Sequence, residues 1–171
     1  MQNHLLIWRN NFFSNKYYMS VDENLKKLNV EIPKAPDPVG AYLAYKKNAN
    51  LLYISGQISI DASGKITKGK LGKELSIEEG QAAAKLCAIN IIAQAKKACN
   101  ENLENIKNCI KLTGYVNSTN EFTDQPKVIN GASELISAVF GENGKHTRAA
   151  ISTNSLPLGA AVEIDAIFEL K

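Results

Sequence analysis

The stretch from His146 to Leu170 constrains the fold more than any other part of this chain. It consists of two runs of alternating character on either side of Leu156-Pro157-Leu158-Gly159. In the second run Val162, Ile164, Ala166, Phe168 and Leu170 alternate with Glu163, Asp165, Ile167 and Glu169. In the first, Ala149, Ile151 and Thr153 alternate with Arg148, Ala150 and Ser152. Alternation with period two is the signature of a strand, so the stretch reads as a hairpin turning at Pro157 and Leu158. A symmetric hairpin puts Arg148 and Glu163 on one face, roughly 13 Å apart along the strands. A register slip of one residue puts them on opposite faces.

Arg148 is the first candidate for chemistry. A guanidinium is permanently charged, and its planar fork matches a carboxylate or a phosphate. The small neighbours Ala149 and Ala150 leave room for a ligand. The residues alone leave a second reading open, that of a surface arginine near a strand acid.

Upstream, the composition bounds the class. A length of 171 residues with 44% apolar content predicts one soluble domain with a substantial core. The net charge of +3 is too small and too dispersed to mark a nucleic-acid footprint, so nucleic acid is not an expected partner. Cys87, Cys99 and Cys109 show no CxxC spacing and read as buried, reduced thiols, which points to the cytoplasm. No apolar run approaches the ~20 residues needed to span a bilayer, and no membrane partner is expected.

Residues 1–19 differ from the rest, with Arg9 and Lys16 but no acid, and many aromatic and asparagine side chains. They read as an N-terminal extension, disordered or lying upstream of a true start at Met19. A basic, acid-poor mitochondrial presequence is the alternative. Residues 20–171 are expected to form a single domain. Ser20-Val-Asp-Glu23 is a capping box that opens a short helix through Leu28, and prolines 33, 36 and 38 enforce an extended lead-in. Two strands, 41–46 and 51–60, are joined by a turn at Lys47–Asn50. Gly56 interrupts the second strand and marks either a bulge or a close backbone approach.

A polar loop over 61–75 carries glycines without a phosphate-loop pattern. Ser76-Ile-Glu-Glu79 is a second capping box, opening a helix to about Cys99 with Ala83, Leu86, Cys87, Asn90, Ile91 and Ala98 on its buried side. A strand over 106–117 precedes a second long helix, which starts near Pro126 and is capped by Gly141. The expected fold class is therefore α+β, with a mixed sheet carrying two long helices on one face.

Candidate residues for other chemistries are sparse. His4 and His146 are the only histidines and neither has a ligand at metal-binding spacing, so no metal and no cofactor are expected. His146 reads as a surface loop residue or as one that lines a cleft. Ser55 has no nearby histidine base, and no cysteine has an evident activator. Asn130 reads as a polar helix residue with its own hydrogen bonds.

Four collinear stretches carry a resemblance. They are Val39-Gly-Ala-Tyr42, Leu52-Tyr-Ile-Ser-Gly-Gln57, Val116-Asn-Ser-Thr-Asn-Glu-Phe122, and Arg148-Ala-Ala-Ile-Ser-Thr-Asn-Ser-Leu-Pro157 followed by Val162-Glu-Ile-Asp-Ala-Ile167. Together they resemble the reactive-intermediate deaminase (RidA, or YjgF, endoribonuclease L-PSP-like) family over about residues 36 to 171. The resemblance implies a chorismate-mutase-like fold, a homotrimer with subunit-interface clefts, and hydrolysis of short 2-imino acids to 2-keto acids and ammonia. It implies that Arg148 holds the substrate carboxylate and that Glu163 handles the water. Tyr42, Ser55, Gly56, Asn130 and Ala150 fall where the family lines its pocket. Ala150 stands where cysteine is common, and Gly40-Ala41-Tyr42 replaces Gly-Pro-Tyr. With the longer segments at 61–75 and 123–127, these departures place the chain in a divergent branch. A non-catalytic trimeric binder of small carboxylate metabolites is the alternative function. Ribonuclease activity, attached to the family by name, has no basic-aromatic stripe to support it.

Overall fold

A computed structural model describes residues 19–38 and 40–171 of the chain. The readings of the N-terminal extension and of Val39 lie outside the described residues. Both capping boxes form. Ser20 Oγ accepts from the Glu23 amide at 3.2 Å and starts α1 (Val21–Lys27), and Ser76 does the same with Glu79 to start α2 (Ile77–Ala98). α3 (Gln125–Phe140) has Pro126 in its first turn and ends at Gly141, whose φ of 60° suits a residue without a Cβ.

Five strands follow: β1 (Tyr45–Asn48), β2 (Leu51–Ile58), β3 (Ile106–Asn117), β4 (Thr147–Thr153) and β5 (Val162–Leu170). They form one sheet in the order β1-β2-β5-β3-β4, with β3 and β4 parallel and the other pairs antiparallel. β1 is shorter than the expected 41–46 and sits later, because the chain bends at residues 40–43 before it can pair. β2 stops at Ile58, two residues early, where the chain leaves the sheet and Ile60 instead bridges to Ile66.

The expected hairpin between β4 and β5 does not form. β4 pairs with β3, and β5 lies on the far side of β3, between β3 and β2. The reason lies upstream of the turn. β3, α3 and β4 make a strand–helix–strand unit, whose crossover length favours parallel neighbours. The apolar stripe of α3 (Val128, Ile129, Ala132, Leu135, Ile136, Val139) then covers the sheet beside β3. The segment around Leu156–Gly159 passes over the end of β3, where Asn117 donates from its backbone to Ala161 and from its side chain to the Ala160 carbonyl.

Both long helices cover one face. Leu52, Ile54, Leu112, Val116, Val162, Ile164 and Phe168 point into the core beneath them, and burying a large apolar side chain contributes roughly 1.5–3 kcal/mol. Leu86 is only half-buried, unlike the rest of the expected α2 stripe. The helices approach closely because Gly131 lies against the Gln81 backbone, where a Cβ has no room. The opposite face carries no element of this chain among the described residues. Tyr53 and Ile151 there are 40% and 47% exposed, and Tyr115 and Ile167 are half-buried.

Candidate functional site

The residues named from sequence fall into two groups on opposite faces of the sheet. Arg148 is in register with the buried Leu112 and Ala150 with Gly114, so both project to the helix side of the edge strand β4. There Arg148 Nη1 donates to Asn130 Oδ1 at 2.8 Å and to Ser133 Oγ at 3.1 Å. Asn130 and Ser133 are one helical turn apart on α3 and so share a face. Both protons of Nη1 are thereby engaged. Among the described residues nothing bonds Nε or Nη2, and that side-on pair is the geometry a carboxylate accepts in bidentate fashion. The guanidinium opens on a shallow hollow of about 300 Å³ lined by Ser133, Ser137, Lys145, His146 and Arg148.

The second group surrounds Glu163 on the uncovered face. β2 and β5 shift register between Ile54 and Gln57, so Ser55-Gly56 is a bulge. It is also a close approach, because the Glu163 carboxylate occupies the place where a Gly56 side chain would lie. The Ser55 hydroxyl donates to the Leu43 carbonyl at 2.7 Å and so helps fix the segment before β1. Glu163, Gly56, Gln57, Tyr42, Pro157 and Leu158 line part of a cavity of about 480 Å³. Gln94 ties the proline-rich lead-in to its rim by donating to the Pro36 carbonyl at 2.6 Å.

The electrostatics set Glu163 apart. Partial burial raises its pKa above the ordinary carboxylate value, and the charge of Asp165, two residues along the strand, adds to the effect. No cation or donor meets Glu163 among the described residues. Asp165 accepts from the Tyr115 hydroxyl at 3.1 Å, and the Tyr115 phenol is itself pushed up by burial and by Asp165. A carboxylate that holds its proton more tightly than usual is better matched to general-base work near neutrality. The cysteines are unsuited to such work. All three are buried and free, and burial pushes the Cys109 thiol up to about 12 and Cys87 well above its ordinary value.

Ser133, Tyr115 and Asp165 were not singled out from sequence, and His146 was read as either a surface loop residue or one that lines a cleft. Ser133 had a readable signal, standing three residues beyond Asn130 on the same helix. The partnership of Tyr115 with Asp165 depends on the β3–β5 register, which the local pattern does not encode. Among the described residues, no group of three or more His, Cys, Asp or Glu side chains comes together as a metal site, and no helix is long and apolar enough to cross a membrane.

A mixed sheet with two long helices on one face, an oriented arginine at its edge and, among the described residues, an unpaired acid on its open face defines the chain as an α+β protein. The family model for YjgF/chorismate mutase-like, putative endoribonucleases matches residues 22–170, and the chain belongs to this family. It is 42% identical to Protein TCP17 of Trypanosoma cruzi over 151 residues, which are 88% of this chain and 94% of that protein. Its fold superposes on the crystal structure of Atu1372, a protein of unknown function from Agrobacterium tumefaciens. The TM-score is 0.83 with 46% identity, covering 88% of this chain and 92% of that one. The human 2-iminobutanoate/2-iminopropanoate deaminase is 28% identical over 139 residues, covering 81% of this chain and 86% of that protein.

Proposed function

We propose that the protein hydrolyses short 2-imino acids to 2-keto acids and ammonia, in clefts formed between copies of the chain in a homotrimer. The observation that carries this reading is the pair of incomplete half-sites. Arg148 presents two free donors on the helix side of β4, while Glu163, unpaired and with a raised pKa, stands on the open side of β5. A substrate small enough to be held by its carboxylate cannot touch both within one chain. An interface that covers the open face brings Glu163 of one copy to Arg148 of another.

The chemistry needs few groups because an imine carbon is already electrophilic. Arg148 takes the substrate carboxylate through Nε and Nη2 and fixes the imine carbon in place. Glu163 removes a proton from water as the water oxygen bonds to that carbon. The C=N π electrons move to nitrogen, which takes that proton from Glu163, giving a tetrahedral amino alcohol. In its collapse Glu163 takes the hydroxyl proton as the C=O bond forms and returns it to nitrogen as the C–N bond breaks, so that ammonia departs. One water is consumed, and one keto acid and one ammonia are released.

The test is the initial rate of pyruvate and ammonia release from 2-iminopropanoate generated in situ, with and without the protein. The wild type accelerates release over buffer, and Glu163→Gln loses 10²–10⁴-fold of that acceleration, the usual worth of a general base. If the wild type binds pyruvate yet gives no acceleration, the protein is a binder of carboxylate metabolites and the hydrolytic reading is wrong.

A further inference from the structure

Arg148 stands exposed on the edge strand β4, where an untethered arginine samples many rotamers. Here its Nη1 is tied to α3 at two points, Asn130 Oδ1 and Ser133 Oγ. The second point is itself held. Ser133 Oγ lies 3.0 Å from His146 Nε2, and His146 Nδ1 lies 2.7 Å from the Gly144 carbonyl. A carbonyl can only accept, so Nδ1 carries a proton and donates to it. Whichever way the proton lies between Ser133 and Nε2, the serine oxygen keeps a lone pair for Arg148, because a hydroxyl has two. Serine has three staggered side-chain wells, and the bond to His146 selects the one that also meets Arg148. The chain of bonds ends on a fixed point. Gly144 is buried, and a Cβ there would run into the α3 backbone at Ile136 and Ser137.

We propose that Ser133 and His146 are positioning residues for Arg148: with Asn130 they hold the guanidinium through Nη1, so that Nε and Nη2 already face a 2-oxo or 2-imino carboxylate before it arrives. The proposal rests on the reading that Arg148 binds a carboxylate. Neither residue touches that ligand, because both act on the side of the guanidinium away from its Nε–Nη2 edge. Their effect is on the entropy of binding. A long side chain that must be ordered on association weakens affinity about two- to tenfold, and in this site the ordering is complete beforehand. His146 acts only through Ser133, so the two work in series rather than as separate supports. Asn130, one turn before Ser133 on α3, holds the same nitrogen and limits what the loss of Ser133 alone can do.

The experiment watches the guanidinium itself and then its affinity. Arg9 and Arg148 are the only arginines in the sequence, so nitrogen–proton NMR of the full-length protein, with Arg148→Lys to assign it, isolates the Arg148 signals. Without ligand the wild type gives separate Nη1 and Nη2 signals, because a guanidinium pinned at Nη1 does not rotate freely. In Ser133→Ala and in His146→Ala these signals average, while Ser133→Thr, which keeps the hydroxyl, retains them. Calorimetric titration of pyruvate then shows Ser133→Ala and His146→Ala about two- to tenfold weaker than the wild type. Their melting temperatures stay near the wild type, since alanine suits a helix and His146 is only half-buried. The double variant loses no more than Ser133→Ala alone, the coupling expected of residues in series. Arg148 signals or pyruvate affinity in Ser133→Ala equal to the wild type overturn the proposal alone, as do losses that multiply in the double variant. Absence of pyruvate binding in the wild type overturns the carboxylate reading, and the proposal with it.

Discussion

At the scale of single residues, the proposed carboxylate site requires arginine at position 148, and lysine cannot replace it. Its Nη1 is held by Asn130 and Ser133, which leaves Nε and Nη2 aligned for a carboxylate. A lysine ammonium is a hydrated point charge that cannot keep those partners and also form a parallel pair. Losing the charge-assisted bidentate contact costs roughly 1.5–3 kcal/mol. Arg148→Lys is thus expected to bind pyruvate or 2-ketobutyrate about ten- to a hundredfold more weakly in calorimetry, with a melting temperature near the wild type because the side chain is exposed. Equal affinities would make Arg148 an ordinary surface charge.

Glu163 gives a prediction in pH. In the proposed mechanism it works deprotonated as a general base, so kcat/KM is expected to rise with pH through its pKa, which burial first and Asp165 second raise above the usual carboxylate value. Asp165→Asn removes the second cause and moves the acid limb of the profile to lower pH. An unmoved limb means that another group limits the rate. The sign for stability is opposite to that of a salt-bridged acid. The folded state binds this proton more tightly than the unfolded chain does, so the carboxyl favours folding at low pH, and that contribution is lost as pH rises through its raised pKa. Glu163→Gln is accordingly at least as stable as the wild type in a neutral thermal melt.

At the scale of elements, the three helices α1, α2 and α3, their caps and most strands were legible, because each is written in local chemistry. Ser20 with Glu23, Ser76 with Glu79, and the stripe from Val128 to Val139 all state their structure within a few residues. Strand neighbours were not legible in the same way. Leu156-Pro157 reads locally as the apex of a hairpin, yet β4 is claimed by β3 through the α3 crossover, and the alternation in β5 serves two other partners. The same non-local choice put Arg148 and Glu163 on opposite faces, the outcome that a slip in register allowed. Gly56 was legible as an interruption, but the group that fills its space was not. Gly56→Ala pushes a methyl into the Glu163 carboxylate. A misplacement of that size costs on the order of 10²-fold in rate, while the flexible end of Glu163 can swing away at little cost to stability. Gly131→Ala acts differently, because its methyl meets the Gln81 backbone, which cannot swing. It lowers stability by about 1–3 kcal/mol, as overpacking does, measurable by denaturant unfolding.

At the scale of the whole molecule, the sheet has one face under helices and one face bare. Antiparallel sheets can leave a face to water when it is polar, but Tyr53, Tyr115, Ile151 and Ile167 make this one partly apolar. In the proposed homotrimer a second copy covers this face without any new element, and that interface makes the two half-sites whole. The most direct measurement of this claim mixes two inactive proteins. Arg148→Ala keeps Glu163, Glu163→Ala keeps Arg148, and each alone hydrolyses no imine. After joint unfolding and refolding at equal concentration, each interface pairs an intact Arg148 with an intact neighbouring Glu163 about one time in four, by random assortment in a closed ring. The account predicts recovery of about a quarter of wild-type imine hydrolysis, in trimers shown by differential tagging to contain both variants. Verified mixed trimers with no activity would contradict it, because the site would then lie within a single chain.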